Sequence, residues 1–125
     1  IFQSEFINRD DHLKLNKIQT ELFEDGQVKS QLEIEYKQQI FDFSANGNGP
    51  IDASKKALTS LFPDITVDAY AEHSLSQGSD SQAICYLTVS FNDIIFHGVG
   101  IDTNITLASV KALISAINRK LSGDI

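Results

Sequence analysis

The chemistry most available to this chain lies in the run Gly47-Asn48-Gly49-Pro50-Ile51-Asp52. Proline is favoured at the first position of a helix, where its missing N–H would have gone unpaired, so the run reads as a helix start. The first turn of a helix presents unpaired N–H groups and a partial positive charge, which suit a carboxylate or a phosphate. Glycines on the approach let such an anion come close to the backbone. The plain alternative is a tight strand-to-helix turn with no ligand. A phosphate loop is not indicated, because no Gly-Lys-Ser/Thr follows and no basic residue precedes the helix. A small carboxylate suits the segment better than a nucleotide.

Other reactive side chains form no constellation. His12, His73 and His97 are far apart without ligand spacing, and the single cysteine, Cys85, argues against a zinc site. Cys85 lies among Ile84, Tyr86 and Leu87, where a buried inert thiol is expected. Ser76, Ser79 and Ser81 lie near His73 and Asp80, yet nothing resembles a nucleophile elbow. No catalytic group is therefore expected within these 125 residues.

Composition narrows the partners. The chain is 42% hydrophobic and 22% charged, as globular domains are, and its net charge is −7. No Lys or Arg occurs between Lys56 and Lys111, a stretch carrying six carboxylates. That argues against nucleic acid or an anionic membrane, both of which need clustered cations. No apolar run approaches the roughly 20 residues that span a bilayer. Ile1-Phe2-Gln3-Ser4-Glu5 lacks the basic start and apolar stretch of a secretory signal, and one cysteine suits a reducing cytoplasm. The chain contains no methionine, even at position 1, so a piece of a longer protein is expected.

These residues must be positioned by elements that the apolar spacing predicts. Residues 1–11 read as the end of a helix, on Ile1, Phe2 and Phe6, broken by Asp10 and Asp11. Leu13, Leu15, Ile18 and Leu22 give an imperfect alternation, read as a strand over 12–23. Asp25-Gly26 predicts a two-residue type I′ hairpin, followed by a cleanly alternating strand from Val28 to Tyr36. A polar turn, Lys37-Gln38-Gln39, leads to a third strand over 40–45. A helix then carries Ile51, Ser54, Ala57, Leu58, Leu61 and Phe62 on one face until Pro63 closes it.

The same order then recurs. Strands are expected over 66–75, 82–91 and 94–99, with turns at 77–80 and Asn92-Asp93, then a helix over 104–121. Ala108, Ala112 and Ala116 form a small-residue stripe that would admit another backbone. Ala53-Ser54-Lys55-Lys56-Ala57-Leu58 matches Ala108-Ser109-Val110-Lys111-Ala112-Leu113 at an offset of 55. Each copy is preceded by a Gly-x-Gly, Gly47/Gly49 and Gly98/Gly100, which implies four extra residues before the second helix. The fold class expected is α+β: a duplicated βββα unit, two three-stranded antiparallel sheets each with one helix, sharing a core. Repeat one would cover about 12–63 and repeat two about 64–122, within a domain of residues 12–125.

Four segments in order carry a resemblance: 47–53 (Gly-Asn-Gly-Pro-Ile-Asp-Ala), 70–83 (Tyr-Ala-Glu-His through Gln-Ala), 98–109 (Gly-Val-Gly-Ile-Asp-Thr through Ala-Ser) and 115–119 (Ser-Ala-Ile-Asn-Arg). Over residues 12–121 the chain resembles the C-terminal regulatory domain of the 2-isopropylmalate synthases, enzymes of leucine biosynthesis. The resemblance implies a cytoplasmic homodimer whose catalytic barrel, outside this chain, uses a divalent metal and acetyl-CoA. It implies two βββα units associating across a dimer interface, with leucine bound there as feedback inhibitor. The implied effector pocket takes Gly47, Asn48, Gly49, Pro50, Ile51 and Asp52, then Val67, Tyr70, Ser74 and Ser81, and Ile105. Ala69 stands where the family often has Asp, and Ser74 and Ser81 replace frequent alanines.

An amino-acid effector needs an anion site, a cation site and an apolar slot. The first helix start suits the α-carboxylate. Asp80 and Asp52 are candidates for the ammonium, on the argument that no lysine competes there. Ile51, Val67, Tyr70 and Ile105 suit a branched side chain. Two other readings stay open: the similar, isoleucine-responsive domain of citramalate synthase, and a structural dimerisation module without a ligand. A small independent enzyme is disfavoured by the absent catalytic cluster.

Overall fold

The computed structural model describes residues 11–74 and 82–123. The segment 1–10, expected to end a helix, and the turn at 77–80 lie outside them. Among the described residues six strands and two α-helices follow in the order βββαβββα: β1 (Leu13–Leu22), β2 (Val28–Tyr36), β3 (Gln39–Gly47), α1 (Pro50–Ala57), β4 (Ile65–Ser74), β5 (Ala83–Phe91), β6 (Ile94–Asp102) and α2 (Ile105–Leu121). Two antiparallel sheets, β1-β2-β3 and β4-β5-β6, are each followed by one helix. The duplicated βββα fold is therefore present, and one apolar cluster joins the halves. Leu13, Leu32 and Ile34 of the first sheet share it with Leu87, Val89 and Phe96 of the second and Leu113 and Ile117 of α2.

The imperfect alternation of β1 has a local cause. The register shifts between Leu15 and Lys17, so one extra residue, Asn16, is bulged out. Leu15 and Ile18 then lie opposite Ile34 and Leu32 on the same face. The second repeat does the same between Val67 and Ala69, which puts Val67 and Tyr70 opposite Val89 and Leu87.

Three expectations change. The Asp25-Gly26 turn is a longer loop rather than a two-residue I′ hairpin. The Gly26 N–H donates to the Phe23 carbonyl and only Gly26 has a positive φ, 88°, the pattern of a type I turn closed by a left-handed glycine. The paired positive φ values of a I′ turn occur at Lys37-Gln38 (52° and 65°) and at Asn92-Asp93 (51° and 70°). The first helix ends at Ala57 and tightens into a 3₁₀ turn over Leu58–Ser60, ahead of Pro63.

The third change concerns the glycine pairs. β3 and β6 begin at Gln39 and Ile94, and α1 and α2 at Pro50 and Ile105, a constant offset with no extra residues before α2. Gly98 and Gly100 lie inside β6, where a Cβ on either would overlap the backbone of α2 at Ala108, Ala112 and Ala116. They permit close packing of strand on helix against the alanine stripe, and the position equivalent to Gly49 is Asn104.

Candidate functional site

A cleft of about 540 Å³ opens where the starts of both helices meet the inward face of β4. Of the residues expected at the site, Asn48, Gly49, Pro50, Ile51 and Asp52 line it from the α1 start. Val67 and Tyr70 come from β4 and Ile105 from α2. The β4 bulge places Val67 and Tyr70 on one face. Tyr70 and Ile105 remain 59% and 43% exposed, large apolar surfaces left uncovered.

Gly47 is not in the lining. A Cβ there would meet the Ala53 backbone and Asp52 Oδ2, so this glycine serves the packing of the strand end on the helix start. Ser74 closes β4, but its side chain, with all of Asp80 and Ser81, lies outside the described residues.

The two helix starts are finished differently. In α2 the Asn104 side chain accepts the Leu107 N–H at 3.1 Å, an ordinary N-cap. In α1 the N-cap is Gly49, with no side-chain cap. Its φ of −175° is extended backbone open to any residue, and a Cβ would meet nothing within 4 Å. Neither backbone conformation nor packing therefore requires glycine at this point of the cleft.

Asp52 differs from expectation in its surroundings. Its Oδ2 accepts the Asn48 N–H at 2.9 Å and lies 3.2 Å from Lys56 Nζ, one turn along the helix. The Asn48 N–H first, and the Lys56 ammonium with it, hold the carboxyl below its ordinary range. The argument that no lysine competes thus fails at Asp52, because Lys56 reaches it. Asp102 in the second repeat is held the same way, by Lys111 Nζ at 2.7 Å and then by the Asn104 N–H.

Sequence reasoning missed Lys55, Thr66, Glu72, Thr106 and Ser109, which complete the lining. Glu72 was legible, being two residues beyond Tyr70 on the same strand face. Thr106 and Ser109 follow Ile105 within one helical turn, and Lys55 follows Ile51 at four residues. Lys55 brings a cation to the cleft and Glu72 a carboxylate.

Cys85, His73 and His97 are not among the residues that line the cleft. Burial, reinforced by Glu72, pushes the Cys85 thiol up to about 11, as an inert buried thiol requires. His73 packs edge-on against Tyr86, and His97 Nδ1 lies 3.2 Å from Thr88 Oγ1. Among the described residues no group of His, Cys, Asp and Glu is placed to hold a metal ion. None of the described helices is long and apolar enough to cross a membrane.

Residues 1–121 match the model of the LeuA allosteric (dimerisation) domain. The chain belongs to this family. The LeuA domain here is similar to part of 2-isopropylmalate synthase from Corynebacterium efficiens, with 35% identity over 97% of this chain and 21% of that protein. It is 38% identical to the enzyme of that name from Thermobifida fusca over 80% of this chain and 18% of the relative. With the Kineococcus radiotolerans enzyme it shares 52% identity over 60% of this chain and 13% of the relative. This LeuA domain thus spans about a fifth or less of the curated relatives it matches.

Proposed function

We propose that this chain is the regulatory and dimerisation domain of a 2-isopropylmalate synthase and that the cleft binds leucine as feedback inhibitor. The observation that carries the reading is the uncapped start of α1, which opens at Gly49 onto a cleft offering apolar residues and both signs of charge. The α-carboxylate is taken by the N–H groups of Ile51 and Asp52, with Lys55 adding positive charge. The ammonium turns to Glu72; Asp52, already paired with Lys56, is the weaker candidate. Ile51, Val67, Tyr70 and Ile105 receive the branched side chain.

In this reading the parent is a cytoplasmic homodimeric acyltransferase. Its divalent metal and acetyl-CoA belong to a catalytic barrel outside this chain. Leucine binds one arrangement of the regulatory domains better than another, and that difference in affinity shifts the enzyme toward a less active population. Calorimetric titration with leucine, isoleucine and valine tests the reading. One methylene is worth about 1–3 kcal/mol in an apolar slot, so leucine should lead valine by roughly tenfold or more, while isoleucine, an isomer of leucine, is told apart by the shape of the slot alone. Preference for isoleucine would favour a citramalate synthase domain instead. No heat and no shift in melting temperature with millimolar branched-chain amino acid would leave a dimerisation module without a ligand.

A further inference from the structure

The two ends of α2 touch different things. Its first turns supply Ile105, Thr106 and Ser109 to the cleft, while its last turn carries Asn118, which is completely buried. The Asn118 Oδ1 accepts the backbone N–H groups of His12 and Leu13, both at 2.7 Å. Its Nδ2 donates to the Leu13 carbonyl at 2.8 Å and to the Ile114 carbonyl at 3.0 Å. One side chain thus does for the start of β1 what a neighbouring strand would do. It fixes the point where the chain runs in from residues 1–10. A second link lies beside it, where Ser122 Oγ donates to Asp11 Oδ2 at 3.2 Å.

Between these contacts the helix is unbroken over Ile105–Leu121. At 1.5 Å per residue, Asn118 stands about 14–20 Å along the axis from the cleft-lining residues. Close packing of α2 on Gly98 and Gly100 makes bending within that span costly, so a displacement at one end is carried to the other. The offset between the repeats shows why this happens once. Pro63 stands where Asn118 stands in the second repeat, and α1 stops short of it.

We infer that Asn118 is a positioning residue through which occupancy of the cleft is felt where the chain enters the domain. The inference rests on the leucine reading above and adds the route by which that site acts. A ligand seated against Ile105, Thr106 and Ser109 sets the position of α2, and Asn118 sets the first residues of β1 accordingly. Asn118 itself does not touch the ligand.

The test uses the full-length enzyme and its Asn118→Asp and Asn118→Ala variants. Asp keeps the acceptor for His12 and Leu13 and loses the donors; Ala loses both. Leucine affinity by calorimetry should stay close to the parent value, while the inhibition reached at saturating leucine falls by about fivefold or more. A merely structural Asn118 would lower the melting temperature and leave inhibition in step with binding, which overturns the inference. Should both variants fail to fold, hydrogen exchange on the unsubstituted enzyme decides. Saturating leucine should slow exchange of the His12 and Leu13 amides, and unchanged rates would overturn the inference. Absence of leucine binding to the parent would remove the functional reading itself, and the parent titration separates that failure from a failure of coupling.

Discussion

Gly49 differs from Gly47, Gly98 and Gly100 in what a side chain would meet there. At the other three a Cβ runs into helix backbone, whereas at Gly49 it enters open space beside the cleft. Gly100→Val should therefore cost about 3 kcal/mol or more in denaturant unfolding, as overpacking against a fixed backbone does. Gly49→Asp should leave the fold at parental stability, because Asp is as good an N-cap as Gly or better. Its carboxylate would occupy the same N–H groups proposed for the ligand. The carboxylates Asp52 and Asp102 set an acid limit. Both are held below their ordinary pKa of 3.8, so their contribution is present above that value and lost as pH falls through the lower folded values. Unfolding free energy should decline below about pH 4, and Asp102→Asn should flatten that decline. Cys85, buried with its thiol near 11, should react with a thiol reagent at pH 8 only after denaturation. At this scale Asn48 to Asp52 were legible from their types and spacing, whereas Val67, Tyr70 and Ile105 came from the family resemblance and Lys55, Thr66, Glu72, Thr106 and Ser109 were missed. The Asp52–Lys56 pair was legible too, being a plain i,i+4 spacing, yet an argument from the lysine-free stretch passed over it.

The elements carry the second level of the account. The side-chain cap on α2 predicts that Asn104→Ala costs about 1 kcal/mol of stability by removing the partner of the Leu107 N–H. No such loss is available at α1, whose cap is a glycine. The order of elements and their alternation were readable because each sheet buries one face and each helix buries one stripe. The bulges were readable only as imperfection, since a single extra residue at Asn16 or between Val67 and Ala69 shifts the pattern without naming its cause. The turns at Lys37-Gln38 and Asn92-Asp93 were placed, but the I′ type of the first escaped because Lys and Gln rarely adopt positive φ, while Asp25-Gly26 looked like the stronger signal. Gly98 and Gly100 imitated a helix approach in letters. Their reason is tertiary, the backbone of α2 lying across β6, and local spacing does not carry it.

Across the whole molecule, duplication builds the fold and unequal helices build the site. In repeat one, α2 reaches back through Asn118 to close the start of β1. The helix of repeat one, α1, ends after eight residues, and the inward face of β4 in repeat two keeps Tyr70 open beside Val67. The internal repeat was legible in sequence, but this inequality was not, because it depends on which helix packs on which sheet. If the domain is a homodimer, its sedimentation should correspond to twice the 13.8 kDa protomer and its melting temperature should rise with protein concentration. The central claim is that the open start of α1 at Gly49 receives the carboxylate of a branched-chain amino acid. Calorimetric titration of leucine into the parent domain and into Gly49→Asp, with melting temperatures measured alongside, tests it most directly. The account predicts saturable binding to the parent and a loss of about tenfold or more in affinity for the variant, at unchanged stability. Equal leucine affinity in the two proteins, both folded, would contradict it.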